Sequence, residues 1–217
     1  MTNAVVDIRA QLRAEIEATK DRVAPPSGGK ISTKGKVFTL PDGRTSSGPL
    51  KLVVLDWRIV HSYYTGIYDP AKRASPDCWA LSTSLDCAPD PAKVKAAKCE
   101  SCAKCPFNEY GSGQTGKGKA CKESRRLAVI PVDATVDTVP LILEVSPTGI
   151  KSFEAYVTRL SSIGKHPMEA VAEVAFKSDA HYPTLVFGVD TMLDDDQLAI
   201  AFAIRKMADP ILDRDPS

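Results

Sequence analysis

Residues 51 to 64, KLVVLDWRIVHSYY, are rich in β-branched, aliphatic and aromatic side chains and predict one long strand. On a strand, Trp57 and Tyr63 share one face, while Arg58 and Tyr64 point to the other. Grooves for single-stranded nucleic acid combine aromatic side chains, on which bases stack, with cations that follow the backbone. We therefore predict nucleic-acid contacts from Lys51, Trp57, Arg58, Tyr63 and Tyr64. The alternative for Trp57 and one tyrosine is a place in the hydrophobic core.

The other regular segments lie on both sides of an irregular stretch. Strands are predicted at 37–41, 126–132, 139–146, 170–178 and 184–189, and helices at 3–22, 146–164 and 194–210. The helix at 146–164 carries one apolar face, formed by Ile150, Phe153, Tyr156, Val157 and Leu160, and Gly164 ends it. The helix at 194–210 begins with acidic residues, as the helix dipole favours, and is expected to stop at Pro210.

This order of strands and helices is typical of an OB-fold barrel, with a helix before the last two of five strands. We predict a mainly β, mixed α+β fold: an OB-fold-like five-stranded barrel with an inserted zinc-binding subdomain and flanking N- and C-terminal helices. The predicted parts are 1–28 (N-terminal helix and linker), 29–69 and 122–190 (barrel core), 70–121 (cysteine-rich zinc-binding insertion) and 191–217 (C-terminal helix and tail). A generic α+β sheet domain is the alternative.

The amino-acid composition indicates which class of protein this chain belongs to. The 217-residue chain is 43% hydrophobic, enough to build a core without disulfides. Its N-terminus is charged throughout, and no run approaches the ~18 apolar residues of a membrane span. We therefore expect a soluble cytoplasmic protein with no membrane partner. In that reducing compartment, cysteines are expected as metal ligands rather than as disulfides.

Charge is distributed unevenly, although the net charge is only +1. Residues 91–128 contain nine lysines and arginines against three glutamates, a net charge of +6. Residues 190–217 contain seven aspartates against three basic residues, a net charge of −4. A basic middle segment is typical of proteins that bind polyanions through one face, and a solvated lysine-rich loop is the alternative.

All six cysteines lie between positions 78 and 121, which favours a metal site. Cys102 and Cys105 form a C-x2-C knuckle, in which both thiolates can face one ion. Zinc commonly takes its second pair of ligands from distant segments, and Cys78 and Cys121 are the candidates.

Two cysteines, Cys87 and Cys99, are left over and are the less favoured ligands. Cys99 is the alternative to Cys102 in an overlapping knuckle. Among the histidines, His61 is the one that could replace a thiolate.

The metal is expected to be structural Zn²⁺, because its binding energy would fold a segment that has no apolar core. An iron–sulfur cluster is the competing interpretation of the C-x2-C-x2-C-P run, but that run lacks a fourth cysteine a few residues later. The sequence places no histidine or carboxylate to act beside an open zinc position, so we expect the zinc to be structural rather than catalytic.

The stretch GSGQTGKG (111–118) comes within one residue of the phosphate-binding pattern G-x-x-x-x-G-K-[ST]. Gly118 has no hydroxyl for magnesium, and the flanks are neither a buried strand nor an apolar helix start. We interpret the glycines as a spacer that lets the chain return to Cys121. The cations and the aromatic residue around this stretch are predicted nucleic-acid contacts: Tyr110, Lys117, Lys119, Lys122, Arg125 and Arg126.

One part of the chain resembles a known family. Residues Cys102, Cys105, Pro106, Asn108, Tyr110, Gly111 and Ser112, followed by GKGKACKESRRLAV (116–129), resemble phage-encoded single-stranded DNA-binding proteins. Cys78 fits the first ligand of that family's pattern, whereas Cys87 and Cys99 are additional to it. The resemblance implies an OB fold with a cysteine-rich zinc element. It also implies a binding protein, not an enzyme, that coats single strands during phage DNA replication, recombination or repair.

The sequence thus predicts a single-stranded DNA-binding protein, with replication or recombination proteins as further partners and the host cytoplasm as its location. Two other functions stay open. One is an iron–sulfur accessory protein or nuclease subunit. The other is a zinc-ribbon regulator that binds duplex DNA or a protein.

Overall fold

The computed structural model describes residues 29–66 and 75–216. The strands are β1 (Lys30–Ile31), β2 (Phe38–Thr39), β3 (Thr45–Ser46), β4 (Leu50–Tyr63), β5 (Cys78–Ser82), β6 (Lys122–Pro131), β7 (Leu141–Val145), β8 (Ala170–Phe176) and β9 (Leu185–Met192). The α-helices of this part are α1 (Pro147–Ser162), α2 (Asp195–Arg205) and α3 (Asp209–Leu212). The fold is mixed α+β, mostly strands, with a curled half-barrel sheet. The predicted N-terminal helix at 3–22 lies outside the described residues.

Strand β4 organises the sheet, whose strand order is β1-β7-β6-β4-β8-β9 with β5 also paired to β4. One edge of β4 pairs with β6 from Leu52 to Ser62. The other edge pairs with β8 near its start and with β5 near its end. A register shift between Val54 and Asp56 marks an irregularity in the pairing with β6. The predicted long strand at 51–64 is therefore confirmed.

Apolar residues alternate along β4 and β6 and contribute to two cores, one on each face of the sheet. We define the inner face as the side of Val54 and Leu127, which belong to the core that contains residues of helix α1. The outer face is the side of Leu55 and Ala128, which belong to the core that contains residues of α2 and α3. Since both faces are covered, β4 is buried on both sides from Leu52 to Leu55.

Helix α1 forms where the sequence predicts it. Its apolar face is confirmed, since Phe153, Tyr156 and Leu160 are buried in the inner core. Gly164 follows the helix with a φ of +70°, a conformation that ends helices and favours glycine.

The same helix lies between the end of β7 and the start of β9. A β-carbon on Gly149, in its first turn, would lie 2.9 Å from Val145 Cγ1 and 3.1 Å from the carbonyl oxygen of Leu185. The helix backbone therefore approaches both strands more closely than a side chain at position 149 would allow.

Two sequence predictions about secondary structure are wrong in detail. Helix α2 ends at Arg205, and Pro210 lies in the first turn of the short helix α3, where a missing N–H breaks no helical bond. The irregular stretch after residue 70 contains a strand, β5, which pairs with β4 through Cys78 and Tyr63. The five residues of β5, CWALS, are too few for the alternation of apolar and polar residues that identifies a strand from sequence.

Candidate metal centre and nucleic-acid interface

The end of β4 is the base on which the cysteines assemble. Tyr63 lies opposite Cys78 on β5. Ser62 lies opposite Lys122, which directly follows Cys121 in the chain. Strand pairing therefore brings together the two cysteines that are most distant in sequence.

Hydrogen bonds between short turns of the insertion bring further cysteines close to Cys78 and Cys121. The backbone N–H of Cys102 donates to the carbonyl oxygen of Cys87 at 2.9 Å. The side-chain amide of Asn108 donates to the carbonyl oxygen of Cys102, also at 2.9 Å. The N–H of Cys121 donates to the carbonyl oxygen of Phe107 at 2.7 Å. These bonds join the loops of the insertion to one another.

Five thiols and one imidazole surround a small cavity of ≈ 10 Å³. The donors are Cys78, Cys99, Cys102, Cys105, Cys121 and His61, with Tyr63, Trp79 and Phe107 among the apolar walls. A cavity of this size holds about one water-sized particle.

Neighbouring thiols shift one another's pKa values. A hydrogen bond from the Cys102 thiol, with a smaller contribution from His61, lowers the pKa of Cys87 to about 5. The same bond raises the pKa of Cys102. Burial, and then contact with Cys105, raises the pKa of Cys99 to about 12. The predicted knuckle partners, Cys102 and Cys105, line the same cavity.

The donor set suits a soft metal ion. The six cysteines, all within the described residues, are free thiols, and all but Cys99 are buried. His61 is 5% exposed, and its Nδ1 atom has no hydrogen-bond partner among the described residues, which is costly in an apolar site. Within 29–66 and 75–216, no three histidine, cysteine or acidic side chains have the geometry of metal ligands. The chemistry of the donors fits zinc, whereas the ligand geometry stays a prediction.

The GSGQTGKG stretch forms a tight loop. The N–H groups of Gly111 and Gly113 both donate to the carbonyl oxygen of Gly118, at 2.7 and 3.3 Å. Gly111, Gly116 and Gly118 have φ between +69° and +97°, the left-handed region that favours glycine. Strand β6 follows the loop, where a phosphate-binding P-loop would start a helix. The interpretation of this stretch as a spacer therefore agrees with its backbone.

On the outer face, two of the predicted nucleic-acid contacts are engaged within the fold. The guanidinium of Arg58 pairs with the carboxylates of Asp209 and Asp213. The neighbouring guanidinium of Arg126 donates to the carbonyl oxygen of Leu212 at 3.0 Å. Both arginines thus hold the C-terminal segment, and nucleic-acid contact would require them to exchange partners.

On the inner face, two further predicted contacts are also engaged. Arg125 is buried and donates to Glu123 and to Glu154, each at 2.7 Å. The ring of Trp57 packs edge-on against Phe153, with the ring centres 5.5 Å apart. Trp57 is half-buried and packs against the inner core.

The exposed predicted contacts lie mainly on the cysteine-rich insertion. We define the finger surface as the exposed side chains of Tyr110, Lys117, Lys119 and Lys122 together with Tyr64, which directly follows β4. Tyr110 is 83% exposed and Tyr64 is 41% exposed. Lys119 also donates to the side-chain oxygen of Asn108 at 3.1 Å, an exposed contact. This surface offers aromatic rings and ammonium groups to solvent.

The last two predicted contacts lie elsewhere. The ring of Tyr63 packs against that of Phe107, with centres 4.3 Å apart, and so attaches the insertion to the sheet. Lys51 lies at the opposite end of β4, about 40 Å along the strand from Tyr63, and pairs with Asp190 at 3.0 Å. Neither residue belongs to the finger surface.

Two features of the site were not predicted from the sequence. Asp209 and Asp213 neutralise Arg58, although they lie 151 and 155 residues further along the chain. Cys87, a left-over cysteine, packs in one buried cluster with Cys102, a predicted ligand. The only signal for the first feature was the acidic composition of the C-terminal segment.

Comparisons with protein-family models, with curated proteins and with solved structures found no match. The function is therefore inferred from the residues themselves. Of the helices in the described part of the chain, none is long and apolar enough to cross a membrane.

Proposed function

We propose that this chain is a single-stranded DNA-binding protein of the OB-fold type that carries a structural zinc in its insertion and is not an enzyme. The strand order β7-β6-β4-β8-β9, with α1 between β7 and β8, supports the OB assignment. In that correspondence, the cysteine-rich insertion occupies the loop between the first two barrel strands. This loop is one of those through which OB folds bind oligonucleotides.

The single observation that carries the proposal is the finger surface. Tyr110 exposes a ring on which a base can stack, at ~1–3 kcal/mol per stacked base. Lys117 and Lys119 are exposed within the same loop and are available to phosphates. Because this surface offers stacking and charge without a shaped pocket, it suits a flexible strand with little sequence preference.

The zinc would be held by four of the five thiols that line the cavity. Cys78, Cys102, Cys105 and Cys121 are the predicted set, with Cys99 as the alternative to Cys102. When bound, zinc supplies coordination bonds that hold the loop segments together, and it takes part in no reaction. The finger surface would then be presented on a rigid support.

Binding to a poly-dT oligonucleotide, measured by fluorescence anisotropy at several salt concentrations, tests the proposal. We expect a steep loss of affinity with salt, because phosphate contacts release counterions. The double variant Lys117→Gln and Lys119→Gln should make the log–log slope shallower by about 1.4, from two lost contacts to a single strand. Tyr110→Ala should weaken binding by about 5- to 150-fold without changing that slope.

The matched control is Lys151→Gln, which removes an exposed lysine from α1 and should leave the affinity and the slope unchanged. Stronger retention of duplex than of poly-dT would reject the proposal in favour of a duplex-binding regulator. A brown protein that contains iron would reject the zinc assignment and favour an iron–sulfur accessory protein.

A further inference from the structure

Helix α2 exposes a row of side chains on the side that faces away from the sheet. Its buried residues, Ala201 and Ile204, belong to the outer core. The exposed row consists of residues spaced four, three and four positions apart: Asp195, Ala199, Phe202 and Lys206. Residues at these spacings lie on one face of a helix, and we call them the α2 row. Lys206 directly follows the helix with a φ of −57° and a ψ of −21°, so it continues the row.

An exposed aromatic ring lies in the α2 row. Phe202 is 66% exposed. Beside it runs an open groove of ≈ 410 Å³, which is also lined by Asp56, Ala203, Arg205, Lys206 and Asp209. The aliphatic parts of arginine and lysine side chains offer apolar surface to a ring that enters such a groove. Covering an exposed aromatic ring is favourable, and aromatic residues anchor many protein interfaces.

The two ends of the α2 row carry opposite charges. Asp195 lies at its start and Lys206 at its end, and both are exposed. Two identical rows therefore place unlike charges opposite each other only when they lie antiparallel. In that arrangement, four residues inward from each charged end, Ala199 of one copy lies opposite Phe202 of the other. The small alanine leaves room for the ring, and two-fold symmetry repeats both pairings.

The spacing of the row also suits the packing of two helices. Steps of four, three and four residues are those of the a and d positions of a coiled coil. Helices that meet through such positions pack at about 20° to each other, with side chains of one helix between those of the other. The α2 row therefore has the spacing, the charges and the alternation of small and large side chains of a self-complementary surface.

We propose that the α2 row is the contact surface for a second copy of this chain, in a two-fold symmetric dimer with antiparallel α2 helices. One helix per copy buries an area at or below the low end of specific interfaces, ~1,200 Å² in total, so the association is weak and depends on concentration. The inference does not rest on the proposed function, because the row and the finger surface share no residue.

Sedimentation equilibrium of the full-length chain over a wide range of concentrations tests the proposal. We expect the wild type to approach the mass of a dimer as its concentration rises. Phe202→Ser should weaken this association about tenfold or more, since it removes the central ring from both copies. The matched control is Ile163→Ser, which removes a side chain of similar exposure, 64%, directly after α1. This control should associate like the wild type.

Charge reversal tests the antiparallel arrangement. Asp195→Lys makes both ends of the row positive, and Lys206→Glu makes both ends negative. Each variant alone should associate more weakly than the wild type, because like charges then face each other. An equimolar mixture of the two variants should recover the association, since every end of one row then meets an opposite charge. A defect in folding would not be repaired by mixing.

The remaining outcomes either overturn the inference or separate it from the proposed function. A wild-type chain that stays monomeric at the highest concentration overturns the dimer. Association that persists in Phe202→Ser places the contact on another surface, and a mixture that does not recover association overturns the antiparallel arrangement. A monomer that binds poly-dT rejects only the dimer, whereas a dimer that does not bind poly-dT rejects only the proposed function.

Discussion

The guanidinium Nε of Arg58 lies 2.7 Å from Oδ1 of Asp213, and a second carboxylate, from Asp209, contacts the same guanidinium. The arginine side chain is 8% exposed, whereas those of Asp213 and Asp209 are 55% and 65% exposed. A buried cation on the central strand therefore holds an acidic C-terminal segment on the outer face. Because the arginine is more deeply buried than the two aspartates, substitution of the arginine and substitution of the aspartates should change the stability by different amounts.

The double variant Asp209→Asn and Asp213→Asn should lower the free energy of unfolding by about 3 kcal/mol or more, because it leaves a buried guanidinium without carboxylate partners of close geometry. Arg58→Met should cost about 1 kcal/mol or less, since an apolar side chain fills the space and the aspartates remain solvated. Urea unfolding followed by tryptophan fluorescence measures both. A larger loss in Arg58→Met than in the double aspartate variant would contradict this assignment of burial.

Gly149→Ala should destabilise the fold by about 1–3 kcal/mol, although alanine is the better helix former. The new β-carbon would lie 2.9 Å from Val145 Cγ1 and 3.1 Å from the carbonyl oxygen of Leu185. The control is Gly48→Ala, whose β-carbon would meet its nearest neighbour, Ser46 Oγ, at 3.9 Å. Thermal unfolding of both variants tests the contact, and an equal change in Tm would show that α1 does not approach the strands so closely.

Removal of metal should unfold the insertion and leave the sheet folded. The two main cores consist of sheet and helix residues, whereas the insertion contributes only small clusters around Trp79 and Ala80. Hydrogen exchange with and without a chelator should show faster exchange at 83–121 and unchanged protection in β6, β7 and β8. Added zinc should restore the protection, and loss of the whole sheet in the same step would count against a separate insertion.

The free energy of unfolding should decrease at alkaline pH, and Tyr156 should contribute to that decrease. Burial raises the pKa of its phenol in the folded chain, and the hydroxyl donates to the carbonyl oxygen of Pro167 at 3.3 Å. Because the unfolded phenol ionises near pH ~10, its contribution is complete below that pH and is lost progressively above it. Tyr156→Phe should therefore lose less free energy of unfolding than the wild type does between about pH 9 and pH 11. Parallel decreases in the two proteins would exclude this residue as a cause.

Much of the sheet and both main helices could be predicted from local patterns. The strand at 51–64 and the apolar face of Phe153, Tyr156 and Leu160 were recognised because burial on one side imposes a period that a short window contains. The strand Cys78–Ser82 was missed because five residues beside prolines and charges hold too little of that period. The end of α2 at Arg205 could not be predicted, because Pro210 has the same sequence signature whether it ends one helix or lies in the first turn of the next.

In the candidate site, too, some features could be predicted from the sequence and others could not. Sequence spacing correctly indicated that Cys78 and Cys121 meet the central cysteines, since all line one cavity. It could not indicate that the left-over Cys87 packs with Cys102 in one buried cluster. Spacing limits which residues can meet, but the short helical turns at 102–104 and 106–108 decide where the loop cysteines lie.

By itself, the sequence determined the periodic strands and helices, the clustering of six thiols and the excess of positive charge in the middle segment, because each of these is a property of neighbouring residues. The tertiary structure alone decided which lysine and arginine side chains remain exposed to solvent and free to contact a ligand. Arg58, Arg125 and Arg126 look like part of a basic surface in the sequence, yet they are buried against carboxylates and carbonyl groups. The physical reason is that a charge is neutralised by the group that lies a few ångströms away in space, and for Arg58 that group is 155 residues away in the chain.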